Sequence, residues 1–398
     1  MSDLPAVPQR VSQSSGVPPA MVYLYDKDSE GLVRQCLNGL GVLTPYFGTG
    51  GIRGAISELA KRTSPPLLIV DISGIDEPLA ALRELSEVCE PGTGVIVVGA
   101  DNDIILYRAM KDAGIAEYFF KPLVSTVVTR ACNAILTGVS GKRSVQTGKL
   151  VLMLGVRGGS GATTIATRLA WHLSQARKRR VMLIDFNLTS GDASLLLDVK
   201  AQHSLRVALE HPERVDDLFL ERGVTRVTER LNLFASMEPL DSVIQYGEDA
   251  ALSLISTLLR NYRYVFVDLQ TEHAAALPRF LHLPSICFLI SDASLTAARD
   301  VARWRALLGP DTSERMTIHI LNKSNAPGAL PIAEFVRAAG AAPNINVAYD
   351  RDAAAAANLG ILELEKCHSF FHALAPALQA IAGESVETER TLLSRIFG

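Results

Sequence analysis

The fold is decided by residues 151–164, which read Val151-Leu-Met-Leu-Gly-Val-Arg-Gly-Gly-Ser-Gly-Ala-Thr-Thr164. The first residues are apolar apart from one glycine, which predicts a short buried strand. A helical spacing of apolar residues begins at the end of the glycine-rich turn, in Thr164-Ile-Ala-Thr-Arg-Leu-Ala-Trp-His-Leu173. A glycine-rich turn between a strand and a helix predicts a phosphate-binding loop, because its backbone N–H groups can surround an anion.

The loop lacks the lysine that such loops place directly before a hydroxyl residue. Ala162 occupies that position and Thr163 follows it. We expect ATP to bind weakly, because one charge-assisted contact to phosphate is missing while the backbone groups remain. The residues predicted to bind the nucleotide here are Arg157, Gly158, Gly159, Ser160, Gly161, Ala162, Thr163 and Thr164.

The doubled glycine after a basic residue resembles the deviant phosphate-binding loop of the MinD and ParA ATPases. That loop reads lysine-Gly-Gly-x-Gly-lysine-Thr-Thr, and its first lysine crosses a dimer interface to the nucleotide of the partner subunit. Arg157 holds the first position in this chain. The resemblance implies a homodimer that forms face to face across the two loops.

Later segments resemble the same family in the same order. Val181-Met-Leu-Ile-Asp185-Phe-Asn187 is similar to the Asp-x-Asp segment that orders Mg²⁺ and the attacking water, with Asn187 in place of the second acid. Tyr264-Val-Phe-Val-Asp268 is similar to the Walker B strand. The resemblance implies that Thr163, Asp185 and Asp268 hold Mg²⁺, with Asp185 as the candidate for the water network.

The end of the chain also resembles this family. Ile318-His-Ile-Leu-Asn322 is similar to the strand whose Asn reads the adenine edge, which makes Asn322 a predicted nucleotide contact. Val347-Ala-Tyr-Asp350 and Ala357-Asn-Leu-Gly360 are similar to the family's closing segments. The resemblance therefore predicts a P-loop domain over residues 150–383.

Composition and length restrict the function classes. A chain of 398 residues with 48% hydrophobic and 20% charged residues predicts two or three globular domains. A net charge of −3 gives no field that would recruit nucleic acid, so we expect none as a partner. The five cysteines form no C-x-x-C pair, which favours reduced thiols in a cytoplasm.

A second unit is predicted over residues 20–138, after a polar tail at 1–19. Short apolar runs at 21–25, 66–70, 94–98 and 116–120 read as strands, and helical patterns at 77–89 and 104–113 separate them. Alternating strands and helices predict a parallel, doubly wound sheet. The predicted fold class is thus α/β, with two doubly wound parallel-sheet domains.

The order of elements in this unit resembles a response-regulator receiver domain, which has a flavodoxin-like fold. Asp71 ends a strand where the phospho-acceptor would lie, Asp26 and Asp28 follow the first strand, and Lys121 follows the last strand. The resemblance implies a receiver pocket made of these four residues. The hydroxyl residue that would bind the phosphoryl group is replaced by Gly99, which counts against phosphorylation of Asp71.

Residues 139–149 are small and polar, which predicts a linker between the two domains. A receiver-like module joined to a MinD-like domain with a damaged loop resembles the CpaE/TadZ proteins of Flp (tight-adherence) pilus assembly. That resemblance implies a cytoplasmic scaffold, at the pole or pilus assembly site, which recruits pilus secretion proteins. Two alternatives stay open: an active ParA/MinD-type positioning ATPase, and a phosphorelay regulator with an ATPase-like output domain.

Residues 384–398 are predicted to form an amphipathic tail. On a helix, Leu392, Leu393, Ile396 and Phe397 share one face. The tail resembles the segment by which MinD sits on the inner membrane, and the resemblance implies a peripheral membrane contact. Packing of the same face on its own domain is the alternative.

Overall fold

The computed structural model describes residues 17–138, 148–271, 274 and 277–382. These residues form two compact units, the first within residues 1–144 except 90–92, and the second made of 90–92 and the chain from residue 145. Most of the predicted N-terminal tail, most of the predicted linker and the predicted amphipathic tail lie outside the described residues. No helix of the described chain is long and apolar enough to cross a bilayer.

The first unit contains a five-stranded parallel sheet with the order β2-β1-β3-β4-β5. This order is that of flavodoxin-like doubly wound folds. Apolar clusters lie on both faces of the sheet, under the helices. The strands are β1 (Ala20–Tyr23), β2 (Tyr46–Gly48), β3 (Leu67–Asp71), β4 (Gly94–Gly99) and β5 (Glu117–Phe120), and the helices are α1 (Lys27–Gly39), α2 (Gly51–Leu59), α3 (Pro78–Val88), α4 (Ile104–Asp112) and α5 (Ser125–Leu136).

The second unit contains an eight-stranded sheet with the order β13-β12-β11-β6-β10-β7-β9-β8. The strand β8 pairs antiparallel with β9, and the other pairings are parallel. The strands are β6 (Lys149–Gly155), β7 (Val181–Asp185), β8 (Thr225–Arg226), β9 (Leu231–Phe234), β10 (Tyr264–Gln270), β11 (Ser285–Ser291), β12 (Arg315–Ser324) and β13 (Ile345–Ala348).

Helices cover both faces of this sheet over two apolar clusters. Those described are α6 (Ala162–Gln175), α7 (Ala193–Leu196), α8 (Ser204–Glu210), α9 (Asp217–Gly223), α10 (Glu248–Asn261), α11 (Pro278–Leu281), α12 (Leu295–Leu308), α13 (Ile332–Ala339), α14 (Arg351–Ala357), α15 (Ile361–Glu365), α16 (His368–Ala373) and α17 (Ala375–Ala382), with a 3₁₀ turn at Pro212–Arg214.

The strand order places a crevice at the carboxyl end of β6. From β6 the chain runs outward to β7 and β9, returns through β10, and then crosses to β11, β12 and β13 on the other side. The winding direction therefore reverses beside β6, and ligands of doubly wound sheets bind outside the carboxyl ends of the strands at such a reversal. The glycine-rich loop leaves β6 at this point.

The predicted central strands are confirmed, because their runs of apolar residues fit a sheet covered on both faces. The side chains of Val151 and Phe266 are fully buried in adjacent strands. The sequence patterns missed β2, β9 and β11 and the helix α2. The strand β2 has only three half-buried residues at a sheet edge, so it carries no apolar run that a pattern could detect.

Candidate phosphate and metal site

The glycine-rich loop has the backbone of an anion-binding turn. Gly159 and Gly161 adopt φ angles of 79° and 90°, a left-handed conformation that other residues rarely adopt. Left-handed residues in such a turn point successive N–H groups toward one side, which forms a concavity for anions. No side chain caps α6, which begins at Ala162, so its first N–H groups can meet a phosphate.

At the position where such loops have a lysine, this loop has Ala162, whose methyl group carries no charge. Its side chain is 8% exposed and belongs to the apolar cluster that includes Ile165 and Ala166. The methyl group therefore contributes packing at the base of the loop. A phosphate bound at this loop would depend on backbone donors, a metal ion and cations from other elements.

Two carboxylates stand side by side at the carboxyl ends of neighbouring strands. Asp185 ends β7, Asp268 lies in β10, and the two are direct partners in the parallel register. Both are buried, at 1% and 5% exposure. Asp185 accepts hydrogen bonds from the backbone N–H groups of Asn187, at 3.0 Å, and Ala193, at 3.2 Å. Asp268 accepts a hydrogen bond from the Thr163 side chain at the start of α6.

The electrostatics of this pair fit a divalent cation. Burial, followed by the charge of the neighbouring Asp185, raises the pKa of Asp268 well above its usual range. Burial also raises the pKa of Asp185, and Asp192 adds to the shift, while two backbone hydrogen bonds oppose it. Two carboxylates and the Thr163 hydroxyl are oxygen donors of the kind that Mg²⁺ prefers. Thr163, Asp185 and Asp268 thus lie together as the sequence predicted, and they would hold Mg²⁺ bound to a nucleotide.

Asn187, which stands in place of the second acid of the Asp-x-Asp segment, makes a structural hydrogen bond. Its side-chain oxygen accepts a hydrogen bond from the Ser190 N–H at 3.0 Å, and the residue is 7% exposed. This bond closes the turn that leads to Gly191. A Cβ atom at Gly191 would lie 2.3 Å from the Asp185 carboxylate and 2.6 Å from the Asn187 carbonyl, so only glycine fits. The sequence analysis missed Gly191, because a glycine in a polar loop carries no signal by itself.

Arg157 forms an ion pair within its own chain. Its Nη1 lies 2.7 Å from Oδ2 of Asp300, and the Arg157 side chain is 44% exposed whereas that of Asp300 is 10% exposed. Arg299 and Arg303 approach the other oxygen of Asp300 at 2.9 and 3.5 Å. Partial burial raises the pKa of Asp300, but the bonds from Arg157 and Arg299 outweigh it and leave the pKa lowered. Arg157 is therefore held within its own subunit by an ion pair that Asp300 shares with two other arginines.

Asn322 and Lys323 contact the loop from β12. The Asn322 side-chain N–H donates to the Ser160 carbonyl at 2.8 Å, and the Lys323 ammonium donates to the Gly159 carbonyl at 2.7 Å. A Cβ atom on Gly161 would come within 2.4 Å of the Asn322 amide nitrogen. Asn322 thus fixes the loop in this structure, and its predicted contact with adenine stays a prediction. The sequence analysis gave Lys323 no role.

The first unit brings three of its four predicted receiver residues together. Lys121 Nζ lies 2.6 Å from both Asp26 and Asp71, and the Asp71 side chain is fully buried. Asp71 also accepts from the backbone N–H groups of Tyr25 and Ser73, at 3.2 and 2.9 Å. Asp28 is exposed in the first turn of α1, and no contact places it in this pocket.

The charges of this pocket are satisfied internally. Partial burial raises the pKa of Asp26, but hydrogen bonds from Lys121 and Ser29 outweigh it and lower the pKa to about 2. Burial lowers the pKa of Lys121, and its bonds to Asp26 and Asp71 reverse this and raise it. No cluster of three or more acidic, His or Cys side chains able to hold a metal ion occurs in the described chain. Asp28 therefore does not join the other three residues of the predicted receiver pocket.

A doubly wound sheet with a glycine-rich loop at its switch point and two paired carboxylates beside it defines a P-loop nucleotide-binding fold, similar to that of the ParA/MinD ATPases. Residues 148–295 match the family profile of the cellulose biosynthesis protein BcsQ. A ParA family protein of Chlamydia muridarum is 26% identical over 161 residues. This match covers 37% of this chain, and the chain spans 55% of the length of that relative.

Solved structures that are similar to parts of this chain include a ParA family ATPase and a pilus assembly protein. A ParA family ATPase from Chlorobium tepidum is 20% identical with a TM-score of 0.51, over 60% of this chain and 98% of that chain. The pilus assembly protein CpaE from Caulobacter crescentus is 29% identical with a TM-score of 0.28, over 29% of this chain and 97% of that chain. The ParA structure establishes the fold only, since its sequence identity is low.

Asp268→Asn should stabilise the protein in the absence of metal. The raised pKa of Asp268 means that the folded state binds more protons near neutral pH than the unfolded state does, so stability falls as pH rises. Removing the charge should add about 1–3 kcal/mol, with a gain that grows from about pH 5 to about pH 8. Stabilisation by Mg²⁺ with nucleotide should be lost. Thermal unfolding measures both effects, and the exposed Asp241→Asn is the control; lower metal-free stability at pH 8 would contradict the site.

Asp71→Ala should destabilise the first unit by roughly 2–4 kcal/mol, because it leaves two backbone N–H groups without their acceptor and removes one of the two carboxylates that pair with Lys121. Urea unfolding of the full chain measures this loss, and the exposed Asp28→Ala is the matched control. Treatment with acetyl phosphate followed by intact-mass spectrometry should show no phosphoryl adduct. An adduct that Asp71→Ala abolishes would overturn this interpretation and favour a phosphorelay.

Proposed function

We propose that the protein is a positioning scaffold that binds ATP·Mg²⁺ weakly, uses it as a dimerising ligand, and hydrolyses it slowly or not at all. The observation that carries this proposal is the combination of retained and missing phosphate-binding groups at the carboxyl edge of the sheet. The loop backbone and the Thr163, Asp185 and Asp268 set are retained, while Ala162 removes the loop's charge. Such a site favours binding over turnover.

Weak hydrolysis follows from what phosphoryl transfer needs. The reaction depends on positive charge held against the transferred phosphate and on a positioned water. Ala162 contributes no charge, and the Asn187 side chain is used in a turn. Arg157 is held by Asp300 within the subunit. ATP and Mg²⁺ are the cofactors that this donor set supports, with Mg²⁺ supplying the charge that the loop lacks.

The proposed cellular role is in Flp pilus assembly, in the cytoplasm and at the pole or pilus assembly site. It rests on the resemblance of the whole domain combination to CpaE/TadZ proteins, with a flavodoxin-like unit preceding the P-loop unit. The proposed partners are a second copy of the chain and pilus secretion proteins. Contact with the inner membrane through residues 384–398 remains a prediction, because these residues lie outside the described chain.

The alternatives are favoured less by the geometry. A phosphorelay regulator needs an acceptor carboxylate that a phosphodonor can reach, and the Asp71 side chain is fully buried. An active positioning ATPase needs the loop lysine, which Ala162 replaces. The net charge of −3 also argues against DNA as the surface on which the protein is positioned.

Ala162→Lys should tighten ATP·Mg²⁺ binding by roughly 10- to 150-fold, since it restores one charge-assisted contact worth about 1.5–3 kcal/mol. Hydrolysis should stay near background, because no second acid positions the water. Titration calorimetry and phosphate release measure the two effects. Rapid turnover by the wild type or by this variant would show that the chain is an ATPase and would refute the scaffold proposal.

Dimerisation should depend on whether Arg157 pairs with Asp300 of its own subunit or with the phosphates of the nucleotide bound to the partner subunit. A cavity of about 720 Å³ beside this ion pair, lined in part by Trp304 and Leu307, gives the arginine room to move. Asp300→Asn should strengthen ATP-dependent association by roughly 2- to 5-fold, since a partly exposed ion pair contributes up to about 1 kcal/mol. Arg157→Ala should weaken it.

Sedimentation equilibrium with and without ATP·Mg²⁺ tests this prediction, with the exposed Arg222→Ala as a matched control. A wild-type monomer at about tens of micromolar in both conditions would count against the dimer. Equal association of the wild type, Asp300→Asn and Arg157→Ala would show that a dimer forms by another surface.

A further inference from the structure

Lys323 is a cation at the phosphate loop that the site described above does not use. Its ammonium group lies 2.7 Å from the Gly159 carbonyl. Within the described chain it forms no ion pair with a carboxylate, in contrast to Arg157, which is paired with Asp300. Lys323 is therefore a positive charge against the loop, without a counter-charge among the residues that the structure describes.

The backbone of β12 is distorted where this contact is made. Consecutive residues of a regular strand point to opposite faces, yet Asn322 and Lys323 both reach the same loop. The pairing of β12 with β13 shifts register between Leu321 and Ser324, and Lys323 has a φ of 55°. A non-glycine residue in the left-handed region is strained, and such strain persists where the surrounding structure requires it.

The contact reaches the phosphate cradle through one peptide group. The Gly159 carbonyl and the Ser160 N–H belong to the same peptide, and in a planar trans peptide these groups point in opposite directions. The Ser160 N–H makes only a long turn bond of 3.3 Å, to the Arg157 carbonyl. A cation on the carbonyl side polarises the peptide and strengthens its N–H as a donor.

We propose that Lys323 supplies to the phosphates of a bound nucleotide the positive charge that Ala162 does not. The ligand class is the diphosphate or triphosphate group, and the base and sugar are not needed for the effect. The inference rests on the proposed binding of nucleotide at this loop. Asn322, which makes the equivalent neutral contact to the Ser160 carbonyl, fixes the shape of the loop without adding charge.

The test is titration calorimetry on the full chain with ATP·Mg²⁺ and, separately, with inorganic pyrophosphate and Mg²⁺. Lys323→Met should weaken binding of both ligands on the order of tenfold, because one unit charge near the phosphates is removed. Lys323→Arg should retain most of the affinity. The matched control Lys366→Met removes a surface lysine that is paired with Glu363, and it should change affinity by less than about twofold.

A double-variant cycle separates charge from loop shape. If Lys323 stands in for the loop lysine, its removal should matter less in the Ala162→Lys background than in the wild type. Equal losses for Lys323→Met and Lys323→Arg would mean that only the shape of the contact matters, and the proposal would be wrong. An unchanged affinity for Lys323→Met would also overturn it, while leaving nucleotide binding intact. If the wild type bound neither ligand, the proposed function itself would be wrong. Thermal unfolding of each variant without ligand verifies that it folds.

Discussion

The repulsion between Asp185 and Asp268 is the constraint on which the second unit depends. The parallel register of β7 and β10 makes the two buried carboxylates direct neighbours. Burial raises both pKa values, and the charge of Asp185 adds to the shift of Asp268, so the arrangement costs stability unless a cation joins it. A fold that retains such a pair retains the means to bind Mg²⁺ with a phosphate ligand.

The cations around the loop give a physical reason for the proposal that this chain binds nucleotide without rapid turnover. The loop itself carries Ala162, and Arg157 is paired with Asp300. A further cation, Lys323, contacts the loop from the side of the Gly159 carbonyl. A cation on the carbonyl side of a peptide can attract a phosphate bound on the N–H side. It does not follow the phosphoryl group during transfer. Such an arrangement suits a ligand that stays bound.

The two units share this property although their sites differ. In the first unit, Lys121 is bound by Asp26 and Asp71. In the second unit, Arg157 is bound by Asp300. In both, a cation beside a predicted phosphate site is engaged by carboxylates of the same unit. This pattern supports the proposed scaffold role over a role in phosphate turnover.

The sequence by itself determined the class of fold and the core of the site. Apolar runs that end in Asp185 and Asp268 are readable because strands buried on both faces have no room for polar alternation. The glycines of the loop are readable because few other residues allow its backbone. The short edge strand β2 and the short strand β9, which lies between β7 and β8, left no comparable pattern.

Only the tertiary structure decided the partners of the charges. Asp300 lies 143 residues after Arg157 along the chain, and Lys323 lies 164 residues after Gly159. Sequence shows that these groups carry charge, but a charge acts according to its distance from other charges, and folding sets that distance. The contact of Lys323 with the loop and the salt bridge between Arg157 and Asp300 are therefore properties of the fold, whereas the missing lysine is a property of the sequence.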